Sequence, residues 1–472
     1  MAAKDTTALA VVGAGPGGYA AAFLAADLGI DVTLIDPEPN PGGVCLYRGC
    51  IPSKALLHVA KLIGEAAHAE SFGVRFGAPK IDLKKLRGFK EGVVERLTSG
   101  LGQLTRKRGV TYIRGRACLD GPDALQITTD GGAPRRLAFD AAILATGSSP
   151  APIPGLPRDA GIVDSTGALD LADVPRRLLV IGGGYIGLEL GSVYAALGSR
   201  VTVVEMTPSL LPGVDADLVR PLQARLTELF EEIVLETRVA GVERKGETLR
   251  VTLEGSGAGK PQRQFDRVLV SVGRRPNGDG LGLETAGVAV GRGGFVQVDG
   301  QRRTSSPRVY AIGDLAGQPM LAHKASHEGR LAVEAIAGHR VTFEPAAIPA
   351  VVFTDPEIAW CGLTETEARE RGRRVEVARF PWAASGRAMT MDRADGVTKL
   401  LIDPETERVL GVGIAGSGAG EMIAEGVLAV EMAATATDVR LSIHPHPTLS
   451  ETIMESAEVF FGQSTHLYRP RR

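Results

Sequence analysis

What this sequence has little of narrows its class first. Four cysteines among 472 residues are too few for a disulfide-stapled secreted scaffold. No apolar run approaches the 18 or so residues of a membrane-crossing helix. Charge of one sign is missing too: 53 Lys plus Arg stand against 55 Asp plus Glu, so no basic field invites nucleic acid. The first expected strand begins within about eight residues of Met1, leaving no room for a signal or transit peptide. These absences point to a cytoplasmic protein with neither nucleic acid nor membrane as partner. The length leads us to expect two to four domains, each with its own core.

Glycine, by contrast, is abundant, with 60 residues, as expected where backbone must approach phosphates. Leu9 to Val12 reads as a short buried strand, followed by Gly13-Ala14-Gly15-Pro16-Gly17-Gly18 and an alanine-rich helix from Tyr19 to about Leu28. A second strand, Asp31 to Ile35, ends at Asp36. This order is the dinucleotide fingerprint. Gly13 makes the tight turn, Gly15 admits the pyrophosphate, Gly18 allows helix–strand packing and Asp36 receives the ribose.

The pattern recurs. Leu178 to Ile181 leads into Gly182-Gly183-Gly184-Tyr185-Ile186-Gly187, a helix from about Leu188 to Leu197, and the strand Arg200 to Val204 closing on Glu205. Gly182, Gly184 and Gly187 take the same three roles. A carboxylate at Glu205 repels a 2′-phosphate, so the ligand is expected to be NAD rather than NADP. Two fingerprints imply two dinucleotides, one a bound flavin and one an exchanging nicotinamide.

Between them, Ala142 to Ser148 is an apolar strand ending in the small-residue turn Thr146-Gly147, and Pro150, Pro152, Pro154 and Pro157 mark a linker. Val309 to Asp314 is another strand with an acid at its end. Asp314 is expected at the flavin's ribityl or phosphate region; a helix cap is the plainer alternative.

Cys45 and Cys50 follow the first fingerprint five residues apart, with Lys54 four further on. In a regular helix such residues have Cα atoms roughly 8.5 Å apart, beyond the roughly 7 Å a disulfide tolerates. If the two bridge, the segment leaves regular helix, and Gly49 and Pro52 permit that. A structural staple is the bland reading, but a chain this long hardly needs one. A metal pair wants further Cys or His ligands nearby, and none follows closely, so no metal is expected. Cys118 and Cys361 are isolated and read as small apolar fillers. From about Pro345 the pattern becomes strands mixed with amphipathic helices. Near its end His446 stands between Pro445 and Pro447, with Glu451 five residues on. Thiol–disulfide exchange needs a base and an acid, and a carboxylate beside an imidazole fixes its tautomer.

Taken together, GGVCLYRGCIPSKALLH, ATGSSP, GGGYIGLELG, AIGDLAGQPMLAHKASHEG, PWAASGRA and HPHPTLSE resemble the pyridine nucleotide–disulfide oxidoreductase family over nearly the whole chain. The resemblance implies an α/β fold of two Rossmann-like domains, for FAD and NAD, plus a C-terminal α+β dimerisation domain. The expected divisions are 1–150 for FAD, 151–277 for NAD, 278–345 returning to the flavin, and 346–472 at the interface. It implies that Cys45 meets a dithiol substrate, that Cys50 lies against the flavin, and that Lys54 pairs with Glu189. It further implies that His446, with Glu451, completes the site of a partner subunit in a homodimer. Within the family the expected reaction is reoxidation of dihydrolipoamide on another protein. That places the chain with the lipoyl domains and acyltransferase core of a 2-oxo acid dehydrogenase complex, or with a lipoyl carrier protein. A glutathione-type reductase is the nearest rival, disfavoured by Glu205. Mercuric and large thioredoxin reductases need a C-terminal cysteine pair, which the terminal Tyr468 to Arg472 does not supply. A docking or redox-sensing subunit without catalysis remains the alternative of another class.

Overall fold

The computed structural model describes residues 5–157 and 159–468. Its first layer is a parallel sheet in the order Thr111–Arg114, Val32–Asp36, Thr6–Val12, Arg135–Leu144, with Val309–Ala311 against the last. The early half of Arg135–Leu144 turns its other edge to antiparallel strands Ala124–Thr128 and Arg116–Leu119. Helices α1 (Pro16–Asp27), α2 (Gly43–Arg48), α3 (Cys50–His68) and α4 (Leu83–Lys107) come from this part. Alternation along Thr6–Val12 explains the layering, because successive side chains leave opposite faces of a strand. Leu9 and Val11 pack on Ala21, Ala22 and Ala25 of α1. Ala10 and Val12 face the opposite way, onto Leu125, Ile127 and Leu137. Both faces are covered, so the strand reads as a continuous apolar run.

The second sheet repeats the plan. Its five strands, Glu232–Val234, Arg200–Val204, Arg177–Ile181, Arg267–Val270 and Ile162–Asp164, are all parallel. Helices α5 (Ser165–Leu169), α6 (Tyr185–Ala196) and α7 (Ala216–Leu229) belong here. Leu178, Val180, Val201 and Val203 face the α6–α7 side, while Leu179, Ile181, Val204, Val268 and Val270 meet the antiparallel strands Thr237–Lys245, Thr248–Gly255 and Gln262–Phe265. The chain crosses between the two sheets twice, and the crossings Ser148–Pro150 and Arg274–Pro276 pair antiparallel. Both fingerprint helices begin earlier than expected from sequence, at Pro16 and Tyr185. The last residues of each glycine turn already form the first helical turn, and Pro at N1 suits that position.

After Val309–Ala311 comes α8 (Ala322–Ile336), packed on α1. The remaining chain forms a five-stranded antiparallel sheet in the order Ala350–Val352, Glu357–Gly362, Val409–Gly416, Val397–Ile402, Glu376–Pro381. It carries α9 (Glu365–Glu370), α10 (Gly386–Thr390), α11 (Ala419–Glu431), α12 (Ala436–Leu441) and α13 (Glu451–Phe460), with a separate core of Phe380, Trp382, Leu400, Ile414, Ile423 and Ile453. No described helix is long and apolar enough to cross a membrane.

One buried ionic knot joins this last sheet to the second. Lys399, 1 % exposed, places Nζ 2.8 Å from Asp215, 2.6 Å from Asp217 and 2.7 Å from Glu365. Burial works against the Asp215 and Asp217 carboxylates, but Lys399 and other donors hold both below their ordinary pKa. Among the described residues these three acids are the one group spaced to hold a metal ion, and the ammonium stands where the ion would sit. Removing one partner of a buried pair leaves uncompensated charge, which typically costs about 3–5 kcal/mol. Lys399→Met is therefore expected to lower the thermal midpoint markedly while the protein still folds; an unchanged midpoint refutes the knot's structural role.

Candidate active site

The two glycine turns have the same internal construction. Gly13 has φ +99°, and a Cβ there would meet the Ala145 carbonyl oxygen at 2.4 Å; a Cβ on Gly18 would meet the Gly13 carbonyl oxygen at 1.8 Å. In the second turn Gly182 has φ +108° and faces the Ser271 carbonyl oxygen at 2.5 Å, while a Cβ on Gly187 would meet the Gly182 oxygen at 2.3 Å. Packing accounts for these four. It does not account for Gly15, whose Cβ would find nothing nearer than 3.9 Å, or for Gly184, whose Cβ would find nothing within 4 Å. Neither α1 nor α6 has a side-chain cap. Open space over uncapped amides at a helix N-terminus suits a pyrophosphate.

Each turn is closed by the acid at the end of its second strand. Asp36 accepts from the amides of Ala14 (2.6 Å) and Glu38 (2.9 Å). Burial pushes its pKa up, against the pull of the Ala14 amide and of Arg48 and Arg116. Glu205 accepts from the amides of Gly183 (2.7 Å) and Thr207 (2.8 Å) and from Thr207 Oγ1 (2.9 Å). Among the described residues, the Glu205 side-chain partners are Gly183 and Thr207, with no arginine.

A cavity of about 660 Å³ runs from Gly13, Gly15 and Asp36 past Cys45 and Cys50 to Lys54, Tyr185 and Glu189. Gly182, Gly184, Gly187 and Glu205 do not line it. Thr146 and Gly147 do, and Thr146 is fixed by exchange with Asn277: Thr146 Oγ1 donates to the Asn277 carbonyl (2.8 Å), and Asn277 Nδ2 donates to that of Thr146 (2.9 Å). Asp314 also lines the cavity, in the single turn Gly313–Leu315. It accepts from Ser148 Oγ at 2.5 Å, and Ser148 Oγ accepts from Arg274 Nε at 2.7 Å. Leu321, not Asp314, occupies the cap of α8.

The cysteine segment is broken where the sequence permits it. α2 ends at Arg48 and α3 begins at Cys50, with Gly49 between them. A Cβ on Gly49 would press on the Val44 carbonyl oxygen at 2.9 Å, so the two helices approach too closely for another residue. Pro52 falls in the first turn of α3, where its missing N–H is no loss. Cys45 and Cys50 are free thiols, hydrogen-bonded to each other. That bond holds Cys45 protonated, with burial and the neighbouring Cys50 charge acting in the same sense. The Cys45 S–H draws Cys50 down to about 7 against burial, with help from Lys54. Lys54 lies four residues on, on the same face of α3, and the helix N-terminus favours a thiolate.

Lys54 Nζ is 2.8 Å from Glu189 Oε2 and lies 4.6 Å from the centre of the Phe353 ring. Glu189 also accepts from Ser53 Oγ (3.3 Å) and the Phe353 amide (2.9 Å). One buried carboxylate thus ties α3, α6 and the loop after Ala350–Val352. His446 Nδ1 is 2.9 Å from Glu451 Oε1, and Glu451 Oε2 accepts from the Thr448 amide at 2.7 Å. Burial alone raises the Glu451 pKa, but the Thr448 amide and His446 bring it below the ordinary value. The imidazole is exposed and does not line the cavity of its own chain. In the same C-terminal part, Ile443 is 99 % exposed and Leu441 and Met432 are 69 % and 72 % exposed, large apolar side chains of the kind that a second copy of the chain covers.

Several contacts escaped the sequence reading. Ser148 and Arg274 anchor Asp314, and Ser148 stood in the quoted ATGSSP motif without a role. His444, two residues before His446, has its Nε2 2.7 Å from Glu425, which raises its pKa. Glu328 lies inside the quoted AIGDLAGQPMLAHKASHEG stretch, but neither it nor Lys399 carries a local signal of its contacts.

The chain is also similar to known proteins. The family described as "Pyridine nucleotide-disulphide oxidoreductase" matches residues 7–329, and its "dimerisation domain" matches residues 348–457. A dihydrolipoyl dehydrogenase of Vibrio cholerae is 47 % identical over 99 % of this chain and 98 % of its own length. One of Haemophilus influenzae is 48 % identical over the same shares. Among solved structures, LpdA of Mycobacterium tuberculosis superposes with a TM-score of 0.88 at 28 % identity, covering 96 % of this chain and 99 % of its own. The HOCl-induced flavoprotein disulfide reductase RclA of Escherichia coli, solved as a Cu(II) complex, gives 0.86 at 27 %, over 96 % and 99 %.

Proposed function

Because the chain belongs to the pyridine nucleotide–disulphide oxidoreductase family, we propose that it reoxidises protein-bound dihydrolipoamide to lipoamide with NAD+, as its curated relatives' name indicates. The observation that carries this reading is the placement of Cys45 and Cys50 on one wall of a cavity whose other end is a dinucleotide turn. FAD, when bound there, supplies a two-electron acceptor that passes a hydride to NAD+. The divisions 1–150, 151–277, 278–345 and 346–472 then correspond to FAD, NAD, central and interface parts.

The chain's residues do the following. In the oxidised enzyme Cys45 and Cys50 share a disulfide. A substrate thiolate attacks Cys45 Sγ, the S–S bond breaks, and Cys50 leaves as a thiolate stabilised by Lys54 and the α3 N-terminus. The second substrate thiolate then attacks the substrate sulfur bonded to Cys45, which releases lipoamide and the Cys45 thiolate. His446 of the partner subunit takes the substrate protons as base and returns one to Cys45, while Glu451 of the partner subunit holds its Nδ1. Gly13, Gly15, Gly18, Asp36, Thr146, Gly147 and Asp314 hold the flavin, with Lys54 beside it. Gly182, Gly184, Gly187 and Glu205 hold NAD, and Glu189 fixes Lys54 at the junction.

A homodimer follows from the dimerisation-domain match, and the exposed Ile443 and Leu441 side chains suit such an interface. The lipoyl group is expected on another protein, within a 2-oxo acid dehydrogenase complex or on a lipoyl carrier. A working dithiol–disulfide pair is at home in the cytoplasm, where cysteine bonds are catalytic rather than structural. The direct test is dihydrolipoamide-dependent reduction of NAD+, with NADP+ in parallel. Turnover is expected with NAD+, and at least about a hundredfold less with NADP+, because Glu205 meets the 2′-phosphate charge to charge. Turnover only with NADP+, or only with another disulfide, discards the lipoyl reading.

A further inference from the structure

Asp314 is the last acid before α8, yet no side chain of its own turn fixes it. Ser148 holds its carboxylate, but the backbone that presents it is fixed by Glu328, fourteen residues later and 0 % exposed. Glu328 Oε2 accepts from the Gly313 amide at 2.6 Å. Its Oε1 receives Arg302 Nη1 and Lys324 Nζ, both at 3.1 Å. Lys324 Nζ in turn donates to the Gly317 carbonyl at 3.2 Å, so both ends of the Gly313–Gly317 segment are tied to one carboxylate. Arg302 adds a backbone link: its carbonyl accepts from Ala311 at 3.0 Å, on the strand that delivers the segment.

Sterics press the same segment onto α8. Gly313 has φ +68°, and a Cβ there would come within 2.9 Å of Ala325 Cβ. The same helix backs the first glycine turn. A Cβ on Gly329 would strike the Gly17 carbonyl oxygen at 2.4 Å, and Ser326 Oγ donates to the Pro16 carbonyl at 3.1 Å. α8 therefore sets the distance between the pyrophosphate turn and the Gly313–Asp314 turn; Glu328 holds the Gly313 end of that segment, and Lys324 its Gly317 end. A carboxylate wholly out of water is costly, and packing alone is served as well by an apolar residue of similar size. Here the carboxylate's contacts all serve position: the Gly313 amide, Arg302 and Lys324.

We infer that Glu328 is a positioning residue for flavin binding: it places the Asp314 carboxylate through the Gly313 amide. This rests on the reading of Asp314 as a flavin-holding acid, and the test separates the two. The purified holoenzyme is stripped of flavin and titrated with FAD, with protein folding followed by far-ultraviolet circular dichroism. Glu328→Gln is expected to weaken FAD binding by at least about tenfold, with KM for NAD+ changed by less than about twofold. Lys324→Met/Glu328→Gln leaves the buried net charge as in the wild type but replaces the charged acceptor of the Gly313 amide with a neutral, weaker one. It is expected to stay loose for FAD; recovery of wild-type affinity in this double variant reduces Glu328 to a charge balance and overturns the inference. Asp314→Asn reads the site itself. Loose FAD in Asp314→Asn with tight FAD in Glu328→Gln overturns the inference and keeps the site. Tight FAD in Asp314→Asn removes Asp314 from the site and the inference with it. Should Glu328→Gln fail to fold, Glu328→Asp keeps the charge and shortens the reach by one methylene; wild-type affinity there overturns the inference equally.

Discussion

Cys50→Ser is expected to purify yellow, with its flavin bound, and to lose dihydrolipoamide oxidation by on the order of 10⁴-fold or more, as when a reacting atom is deleted from a covalent mechanism. The retained flavin follows because Gly13, Gly15, Asp36 and Asp314 hold their places through backbone and side-chain partners that do not include Cys50. The lost activity follows because a serine oxygen neither closes a disulfide with Cys45 nor accepts electrons from it. The acid–base side has a sign that can be measured. Cys50 is lowered to about 7 by the Cys45 S–H bond and Lys54, against burial. Its thiolate is therefore present above about 7 and is lost as pH falls below it, whereas an ordinary thiol ionises well above. Ultraviolet thiolate absorbance of the reduced, flavin-stripped protein is expected to rise through neutral pH, and to rise at higher pH in Lys54→Met. Full dihydrolipoamide activity in Cys50→Ser discards the assigned disulfide, and an unmoved titration in Lys54→Met removes the lysine from its control.

How much of this was legible in the sequence depends on how local each signal is. The glycine turns were legible to the residue, because a tight turn, a helix start and a strand end lie within about 25 residues. Only their helix starts were placed late, since Pro16 and Tyr185 are ambiguous between turn and first helical turn. The break at Gly49 was expected only on the condition that Cys45 and Cys50 bridge, since a five-residue helical spacing is too long for a disulfide. The Lys54–Glu189 pair was reached only through family resemblance: 135 residues separate the two, and no periodicity connects them. The Asp215–Asp217–Glu365–Lys399 knot joins three stretches whose separation is set by tertiary packing, so no reading of any one of them finds it. Glu328 lay within a quoted motif, but its function depends on a carboxylate meeting a backbone amide across an interface. Side-chain–backbone contacts of that kind leave no trace in residue type alone.

His446→Gln is expected to slow thiol exchange by about 10²–10⁴-fold, the range for loss of a positioned acid–base group, with little change in NAD+ affinity. Within one chain the imidazole is exposed and outside the cavity, so the effect needs a second copy to deliver it. Glu451 is built to support that delivery. The Thr448 amide and His446 hold its pKa below the ordinary value despite burial, so it keeps its charge, and its hold on Nδ1, to a lower pH than an unpartnered glutamate does. A mixed dimer turns the geometry into a count. When a Cys45→Ser chain pairs with a His446→Gln chain, one site has lost both groups. The other combines an intact Cys45 with an intact His446 from across the interface. Random reassociation makes about half the dimers mixed, each with one sound site, so activity is expected to recover to about one quarter of wild type from two nearly inactive parents. If His446 served the cavity of its own chain, every site in the mixture would lack one group. No recovery after demonstrated subunit exchange therefore places the acid–base pair within a single chain and dissolves the shared site.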